Sequence, residues 1–600
     1  LALMPTGGGK SITFQVPALV NEGLCLVVTP LIALMKDQVE NLIKRGIRAL
    51  SIHSGMNSHE IDITLENAIF GKYKFLYVSP ERLESELFLT RVQKMNVNLI
   101  AVDEAHCISQ WGYDFRPAYL RIANIREFFP EVPVLALTAT ATPTVAEDIM
   151  EKLQFKTPNL LKKDFQRKNL VYFVKHTEDK FKSAMEVVKS IRGSGIIYVR
   201  SRNKTKEIAY ALRKNQVSAD YYHAGLDTDV RSRKQEAWVN NKIRIIVATN
   251  AFGMGIDKAD VRYVIHMDMP DTLEEYFQEA GRAGRDEKKA FAVLLYNEFD
   301  AVKARQRLMN NFPEPKLVKQ VYQALGNYFQ IPEGAGKDMS FDFNLMDFSS
   351  TYKLSSYQVH SSLKILEREG YLGLSDEINN PSRLIFLVNR DELYSYQLKN
   401  AKLDTFIKLL LRSYTGLFSE YVKVDEVWLA KQAGVTIDVI FQYLNKLSGQ
   451  GIINYIPKKK TPVIFMMEER LPVKNLHIAK ENFMERKKIY ENRLNKVLAY
   501  AGTSNRCRSQ LLLDYFGQQN VPLCGQCDVC RKRAEQGLSS DEILAIETAI
   551  RTALTNNSLL LDTLVDSLDT KKENTLEIIR WMIDDGHLIH TDEGKIKLKS

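Results

Sequence analysis

The sequence predicts an α/β protein: two successive domains on parallel sheets, then winged-helix-like domains and a small zinc-binding helical module. Three observations carry that expectation. Short continuous apolar runs alternate with amphipathic helical stretches over residues 1–297. A pattern of helices followed by a hairpin then recurs down the chain. Four of the six cysteines crowd into residues 507–530.

The first domain, residues 1–162, supplies the runs GLCLVVTP (23–30), KFLYVSP (74–80), VNLIAVDEAH (97–106) and VPVLALTAT (132–140). The second, 163–312, supplies LVYFV (170–174), SGIIYV (194–199), IRIIVAT (243–249) and VRYVIHMD (261–268). Runs this apolar, without polar alternation, suit strands covered on both faces, as in parallel sheets. Residues 313–400 and 401–472 read as two winged-helix-like domains in tandem, each with its own hairpin. The first has the amphipathic helix SSYQVHSSLKILEREGYL (355–372), ending at Gly370, and the strand RLIFLV (383–388). The second runs from VDEVWLAKQAG through TIDVIFQYLNKLSGQGIINYI to TPVIFMM. Residues 473–535 form the zinc-binding module, and 536–600 a third winged helix with a hairpin turned at Asp592–Gly594.

A net charge of +9 permits a polyanionic partner without requiring one. The longest apolar run, LCLVVTPLIALM (24–35), is broken by Thr29 and Pro30 and falls short of the ~20 residues a bilayer requires. The first apolar stretch runs straight into the glycine loop, so no signal peptide is expected. These features suggest an intracellular protein, cytoplasmic and nucleoid-associated if bacterial.

The opening MPTGGGKS holds the chemistry. Small residues between a strand and a helix aim several backbone N–H groups at one point, where any Cβ would obstruct a phosphate. Thr6, Gly7, Gly8 and Gly9 would form that cradle. Lys10 would meet the β/γ-phosphates, and the Ser11 hydroxyl would ligate Mg²⁺. Met4 stands where the general pattern has glycine. Asp103 and Glu104 of DEAH follow the strand VNLIAV, so both emerge at a strand's C-terminal end, where ligands of α/β proteins sit. Asp103 would hold Mg²⁺ through water, and Glu104 would orient and deprotonate the attacking water. The cation that phosphoryl transfer also needs is expected from QEAGRAGRD (278–286), through Arg282 and Arg285 acting as a finger across a cleft. Its small residues Gly281, Ala283 and Gly284 would let the segment approach another surface.

Taken in order, MPTGGGKS, TPLIALMKDQV, DEAHCISQWGYDFRPAY, ALTATAT, ATNAFGMGIDKADVRYVIH and QEAGRAGRD resemble a RecQ-family DNA helicase of superfamily 2. The resemblance covers nearly all of 1–297 and implies two RecA-like domains. SQWGYDFRPAY (109–119) is similar to the family's aromatic-rich loop. There Trp111 and Phe115 offer stacking faces for unpaired bases, and Arg116 offers charge. Tyr113 stands where many relatives have His, and Gly112, Asp114 and Pro117 mark a loop. The resemblance further implies DNA-backbone contacts by Thr29, Pro30 and SPERL (79–83), and by Ser201, Arg202, Asn203 and Thr249. It implies coupling between nucleotide and DNA by Thr138, Thr140 and Thr142, and an ATP cleft lined by Gly255, Asp257 and Gln278. Relatives carry an adenine-recognition segment before the glycine loop, so the sequence reads as a piece of a longer chain.

The spacing C-x16-C-x2-C-x2-C at Cys507, Cys524, Cys527 and Cys530 suits a closed tetrahedral Zn²⁺ site of structural type, favoured over an iron–sulfur cluster or free thiols. It also resembles the RecQ zinc module, displaced by two intervening winged-helix-like segments. The hairpin of 536–600 is a candidate strand-separating wedge. The functional expectation is an ATP- and Mg²⁺-dependent 3′→5′ DNA helicase of recombination, repair and replication. Its expected partners are single-stranded and forked duplex DNA, with single-strand-binding or recombination proteins as the family's implication. No membrane is expected, and a monomer is favoured. An RNA helicase, a duplex translocase and a winged-helix regulator with an idle nucleotide domain stay open as alternatives.

Overall fold

The two α/β domains form two lobes. In lobe 1 the strands are β1 (Ala2–Leu3), β2 (Leu24–Val28), β3 (Ala49–Ile52), β4 (Phe75–Val78), β5 (Val97–Val102), β6 (Val134–Thr138) and β7 (Leu161–Lys162). They pair in the order β3-β4-β2-β5-β6-β1-β7, and every pairing is parallel. The computed structural model describes residues 1–598 apart from 6, 54, 55, 57, 110, 113, 114, 254, 255, 257, 376–381, 415, 419–421, 458–462, 480, 520, 536–539, 556, 585, 586 and 592. Lobe 2 contains β8 (Leu170–His176), β9 (Ser194–Tyr198), β10 (Ala219–Tyr222), β11 (Ile245–Ala248), β12 (Val261–His266) and β13 (Ala290–Tyr296). Their order is β10-β11-β9-β12-β13-β8, again parallel throughout.

Uniform burial explains the lack of alternation in the sequence. Every residue of β2, β4, β9 and β11 is buried, because helices cover both faces. The neighbouring strands β5, β6 and β1 all end at one edge of lobe 1. DEAH, the threonine-rich turn and the glycine loop leave from those three ends, where α/β sheets place ligands. Among the described residues no helix is long and apolar enough to cross a membrane.

By its internal packing the chain divides into residues 1–305 with 489–600, and residues 306–488. In the first unit, four cysteines and the helices Arg486–Gly502 (from residue 489), Arg508–Tyr515 and Asp528–Glu535 make up the zinc module. Helices Ser540–Leu554, Leu561–Asp566 and Lys572–Asp584 then pack with the hairpin β20 (Leu588–His590) and β21 (Ile596–Leu598) around one apolar core. Asp592 of the expected tip lies outside the described residues. Gly594 sits there at φ 75°, a left-handed conformation that suits glycine.

The second unit departs from the tandem arrangement. Its strands are β14 (Ser340–Asp342), β15 (Leu372–Ser375), β16 (Arg383–Phe386), β17 (Val422–Lys423), β18 (Ile453–Ile456) and β19 (Val463–Met466). RLIFLV does not make a hairpin with β15. Its β16 pairs instead with β17 and β18. TPVIFMM supplies β19, which returns to β14 and β15 rather than pairing with β18. One winged-helix module is therefore nested inside the wing of another, and the expected boundary at 400/401 cuts through the inner one. Two separate cores confirm the nesting. One holds Leu384 to Tyr455 alone; the other joins Val318–Leu372 to Ile464, Met466, Leu476 and Phe483.

The nesting makes a prediction. Ser375 and Val463 are direct partners across the antiparallel pair β15–β19, and two residues suffice to join such strands. Replacing residues 376–462 by Asn-Gly should leave the outer module folded, with a cooperative melt and slow amide exchange over β14, β15 and β19. Exchange at the unfolded rate in those strands would refute the nesting.

Candidate functional site

The glycine loop turns immediately after β1. The Gly8 amide donates to the Pro5 carbonyl at 2.8 Å, and a Cβ on Gly8 would stand 2.8 Å from that oxygen. Gly7 and Gly9 have φ of 81° and 89°, accessible to glycine without strain. Helix Lys10–Val20 starts directly behind, so its unpaired N–H groups face the loop. Thr6 lies outside the described residues.

Asp103 and Glu104 leave the end of β5. Glu104 has φ 47°, a left-handed backbone that costs a non-glycine residue about 1–3 kcal/mol. The Asp103 carboxylate accepts from the Glu104 amide at 2.9 Å and stabilises this turn. Burial, and then the neighbouring Glu104, push the Asp103 carboxyl above the ordinary range. Burial also works against charge on Glu104, but Lys10, His106 and Arg282 outweigh it and hold that carboxyl low. Lys10 Nζ lies 3.4 Å from Glu104 Oε1, and His106 Nδ1 lies 3.3 Å from Oε2. The same His106 nitrogen is 2.8 Å from Thr138 Oγ1, which accepts from the Thr140 amide at 3.3 Å. Close polar contacts, rather than an unbroken run of hydrogen bonds, thus connect Glu104 with the turn after β6. Thr142 caps the next helix without a side-chain bond.

Lobe 2 contributes helix Leu273–Ala280, capped by Thr272, and the turn that follows it. Gln278 and Arg282 are buried, and Arg285 Nη1 donates to the Ile256 carbonyl at 2.8 Å. The small residues of this turn have another use than the one expected. Arg167 donates to the carbonyls of Ala283 and Gly284 at 3.0 and 2.7 Å, and a Cβ on Gly284 would meet Asn169 Nδ2 at 2.6 Å. Gly281, Ala283 and Gly284 therefore seat the turn on lobe 2 itself. The approach to lobe 1 is made by the Arg285 stem, whose Cγ would lie 3.3 Å from a Cβ on Gly7. Gly255 and Asp257 lie outside the described residues.

The result is one cavity of about 310 Å³, lined by Gly7, Gly9, Lys10, Ser11, Asp103 and Glu104 from lobe 1 and by Gln278, Arg282 and Arg285 from lobe 2. Sequence reasoning missed part of its wall. Leu34, Gln38, Asn41 and Arg45 also line it, from or just beyond helix Ile32–Lys44. Their spacing of four, three and four residues was a legible helical face, with polar residues where a core face would be apolar. Arg167 left no sequence signal at all.

The residues expected on DNA fall into two groups. Trp111 is exposed at 42% and Ser201, Arg202 and Asn203 are exposed, with the Ser201 hydroxyl accepting from the Lys204 amide at a helix N-terminus. Phe115 and Arg116 are half-buried, and Arg116 Nη1 donates to the Pro30 carbonyl at 3.2 Å. Thr29 and Thr249 lie below the surface, at 1% and 8% exposure. In SPERL, Ser79 and Pro80 are buried and Arg82 is half-buried. Tyr113 and Asp114 lie outside the described residues.

Cys507, Cys524, Cys527 and Cys530 bring their sulfurs within 4.8 Å of one another. Cys524 Sγ and Cys530 Sγ are 3.9 Å apart, against roughly 3.8 Å for the edge of a tetrahedron with Zn–S bonds of ~2.3 Å. Gly525 takes φ 68° in the first C-x-x-C turn. The set fits a closed, structural Zn²⁺ site. Ser11 and Asp103 are hard oxygen donors on the cavity wall, the donor type Mg²⁺ takes.

The fold and cavity define a class, the two-lobed DEAD/DEAH-box helicase fold: residues 1–149 match the DEAD/DEAH box helicase family and 179–287 the helicase conserved C-terminal domain. Residues 384–457, the nested module, match the RecQ helicase winged-helix domain of Bacteroidota, and 464–531 match the RecQ zinc-binding domain. The chain is 46% identical over 305 residues to "ATP-dependent DNA helicase RecQ" of Bacillus subtilis (strain 168), covering 50% of this chain and 52% of the relative. It is 42% identical over 334 residues to the protein of that name in Pasteurella multocida (strain Pm70), covering 55% and 52%. It is 35% identical over 397 residues to "Probable ATP-dependent DNA helicase RecS" of Bacillus subtilis (strain 168), covering 65% of this chain and 80% of the relative. The chain belongs to the RecQ family. It spans about half the length of the two RecQ relatives.

Proposed function

We propose that the chain is an ATP-driven motor that travels on single-stranded DNA and separates duplex ahead of it, in recombination, repair and replication. The observation that carries this reading is the shared cavity. Lys10, Asp103 and Glu104 face Arg282 and Arg285 across the lobe boundary, so the groups phosphoryl transfer needs meet only when the lobes are together. Domain closure and hydrolysis become one event.

Each group has a physical task. Backbone N–H groups of Gly7 to Gly9 cradle phosphates, and Lys10 neutralises their charge. In this state Lys10 is spent on Glu104. An incoming γ-phosphate competes for the ammonium, and Glu104, losing its main counter-charge, becomes a better acceptor for the proton of the attacking water. Ser11 and Asp103 would hold Mg²⁺, which supplies charge neutralisation to the phosphates when bound. Arg282 meets charge developing on the γ-phosphate. Trp111 and Phe115 stack on bases, while Arg116 and Ser201, Arg202 and Asn203 hold phosphates from the two lobes, with Thr29 and Thr249 joining as the lobes move. The contacts Glu104–His106–Thr138 relay DNA occupancy to the base. The four cysteines hold Zn²⁺ as a structural element. Polarity is taken as 3′→5′ and the working state as a monomer.

Strand displacement on 3′-tailed, 5′-tailed and forked duplexes, with and without ATP, tests this reading together with ATPase rates on DNA and RNA strands. The expected result is ATP-dependent unwinding of the 3′-tailed and forked substrates and hydrolysis stimulated by DNA. Hydrolysis at one rate with and without DNA would overturn it.

A further inference from the structure

Helix Leu273–Ala280 carries Gln278 and delivers Arg282 to the cavity, and the zinc module holds it through Arg493, Tyr500, Phe516 and Tyr515, the last hydrogen-bonded to Glu274. Glu274 Oε1 lies 3.5 Å from Arg493 Nε. The Tyr276 hydroxyl accepts from the Tyr500 hydroxyl at 3.4 Å, and the Phe277 ring lies 4.8 Å from that of Phe516. The module also touches lobe 1, where the Phe516 carbonyl accepts from Lys162 Nζ at 2.9 Å and Arg493 reaches the aromatic loop. Arg493 Nη1 donates to the Gly112 carbonyl at 3.1 Å, and its Nη2 donates to the Trp111 carbonyl. One guanidinium therefore bonds the backbone of the aromatic loop on one side and a buried carboxylate of the finger helix on the other. Its planar fork suits the task, since separate N–H groups point at separate partners in fixed directions.

We propose that Arg493 is a positioning residue that transmits the state of the aromatic loop to the finger helix, making the zinc module a working part of the coupling between DNA and ATP. This rests on the reading that DNA bases stack on the loop. A base stacking on Trp111 moves the loop's backbone, the two carbonyl bonds follow it, and the guanidinium re-aims against Glu274. Helix Leu273–Ala280 then shifts, with Gln278 and Arg282 on it. Stacking is thereby converted into finger placement across the lobe boundary.

The test uses the full chain with R493K, R493Q and the double variant R493Q/E274Q. Removing Arg493 alone strands a buried carboxylate; the double variant removes that charge as well. Zinc content, melting temperature, DNA-free ATPase rate, and the DNA-stimulated rate with its half-saturating oligothymidine concentration are measured. The double variant should keep zinc, melting temperature and the DNA-free rate, and should lose about tenfold of its stimulation by DNA, a factor usual for coupling between two sites. R493K should fall between it and the unmodified chain, because a lysine satisfies one partner at a time. Full stimulation in the double variant, or a loss of stimulation only as large as its loss of zinc, overturns the proposal. If the unmodified chain is not stimulated by DNA, the reading of the loop as a DNA platform fails first.

Discussion

Lys10→Ala should reduce ATP-driven strand separation by at least about 10³-fold while leaving affinity for single-stranded DNA within about twofold. Lys10 is the cation on the glycine-loop side of the cavity, 3.4 Å from the carboxylate it neutralises in this state. Its loss acts twice. The phosphates lose their nearest counter-charge, and Glu104 is left buried with His106 and Arg282 as its remaining positive neighbours. Its proton affinity is then raised before any nucleotide arrives, so the gain in basicity is no longer tied to phosphate binding. Arginine is a poor replacement, because its broad planar head does not fit a cradle closed around a compact charge. DNA affinity should survive, since the exposed Trp111 and Ser201–Asn203 lie on other segments. Fluorescence anisotropy of a labelled oligonucleotide and gel-based unwinding separate the two quantities. Unwinding at the unmodified rate would defeat the phosphate-binding role.

Arg282→Ala should lower the DNA-stimulated turnover number by about 10³-fold, the small end of the range for arginine fingers, equivalent to about 4 kcal/mol of transition-state stabilisation. The Michaelis constant for ATP should change little, because charge on the γ-phosphate grows only as the transition state forms. Arg282 is buried, and its charge acts on Glu104 from the opposite lobe. Arg285 should give a milder effect. Its head is held by the Ile256 carbonyl and its stem rests against Gly7, so Arg285→Ala loosens lobe contact more than it removes charge. Steady-state kinetics at saturating DNA distinguish the two variants. Equal losses from both would remove Arg282 from its special place.

Much of the cavity was legible because its chemistry needs short contiguous strings at strand ends. GGGKS, DEAH and GRAGR each state a type of residue, an order and a place, and the sheet topology brings those places together. What was misread shares a physical cause, which is that partners distant in sequence leave no local trace. RLIFLV and TPVIFMM are equally good strands whether they close their own hairpin or reach across an inserted module, and period-two patterning is silent on which. The small residues of GRAGR were read as facing outward because the Arg167 and Asn169 that occupy their inner side carry no pattern of their own. Arg493 was invisible for a related reason. It is one basic residue among several in RKKIYENRLNKV, and only the fold gives it carbonyls on one side and Glu274 on the other.

Threading one module through another also sets a timetable during synthesis. About ninety residues separate β15 from β19, roughly 4 to 18 s of translation at ~5–20 residues per second. Throughout that interval β14 and β15 have emerged without the strand that lies between them, and each offers an open hydrogen-bonding edge to the ribosome's surroundings. The guest, complete with its own three-stranded sheet, can fold first and keep the host's two halves near each other until the last strand arrives.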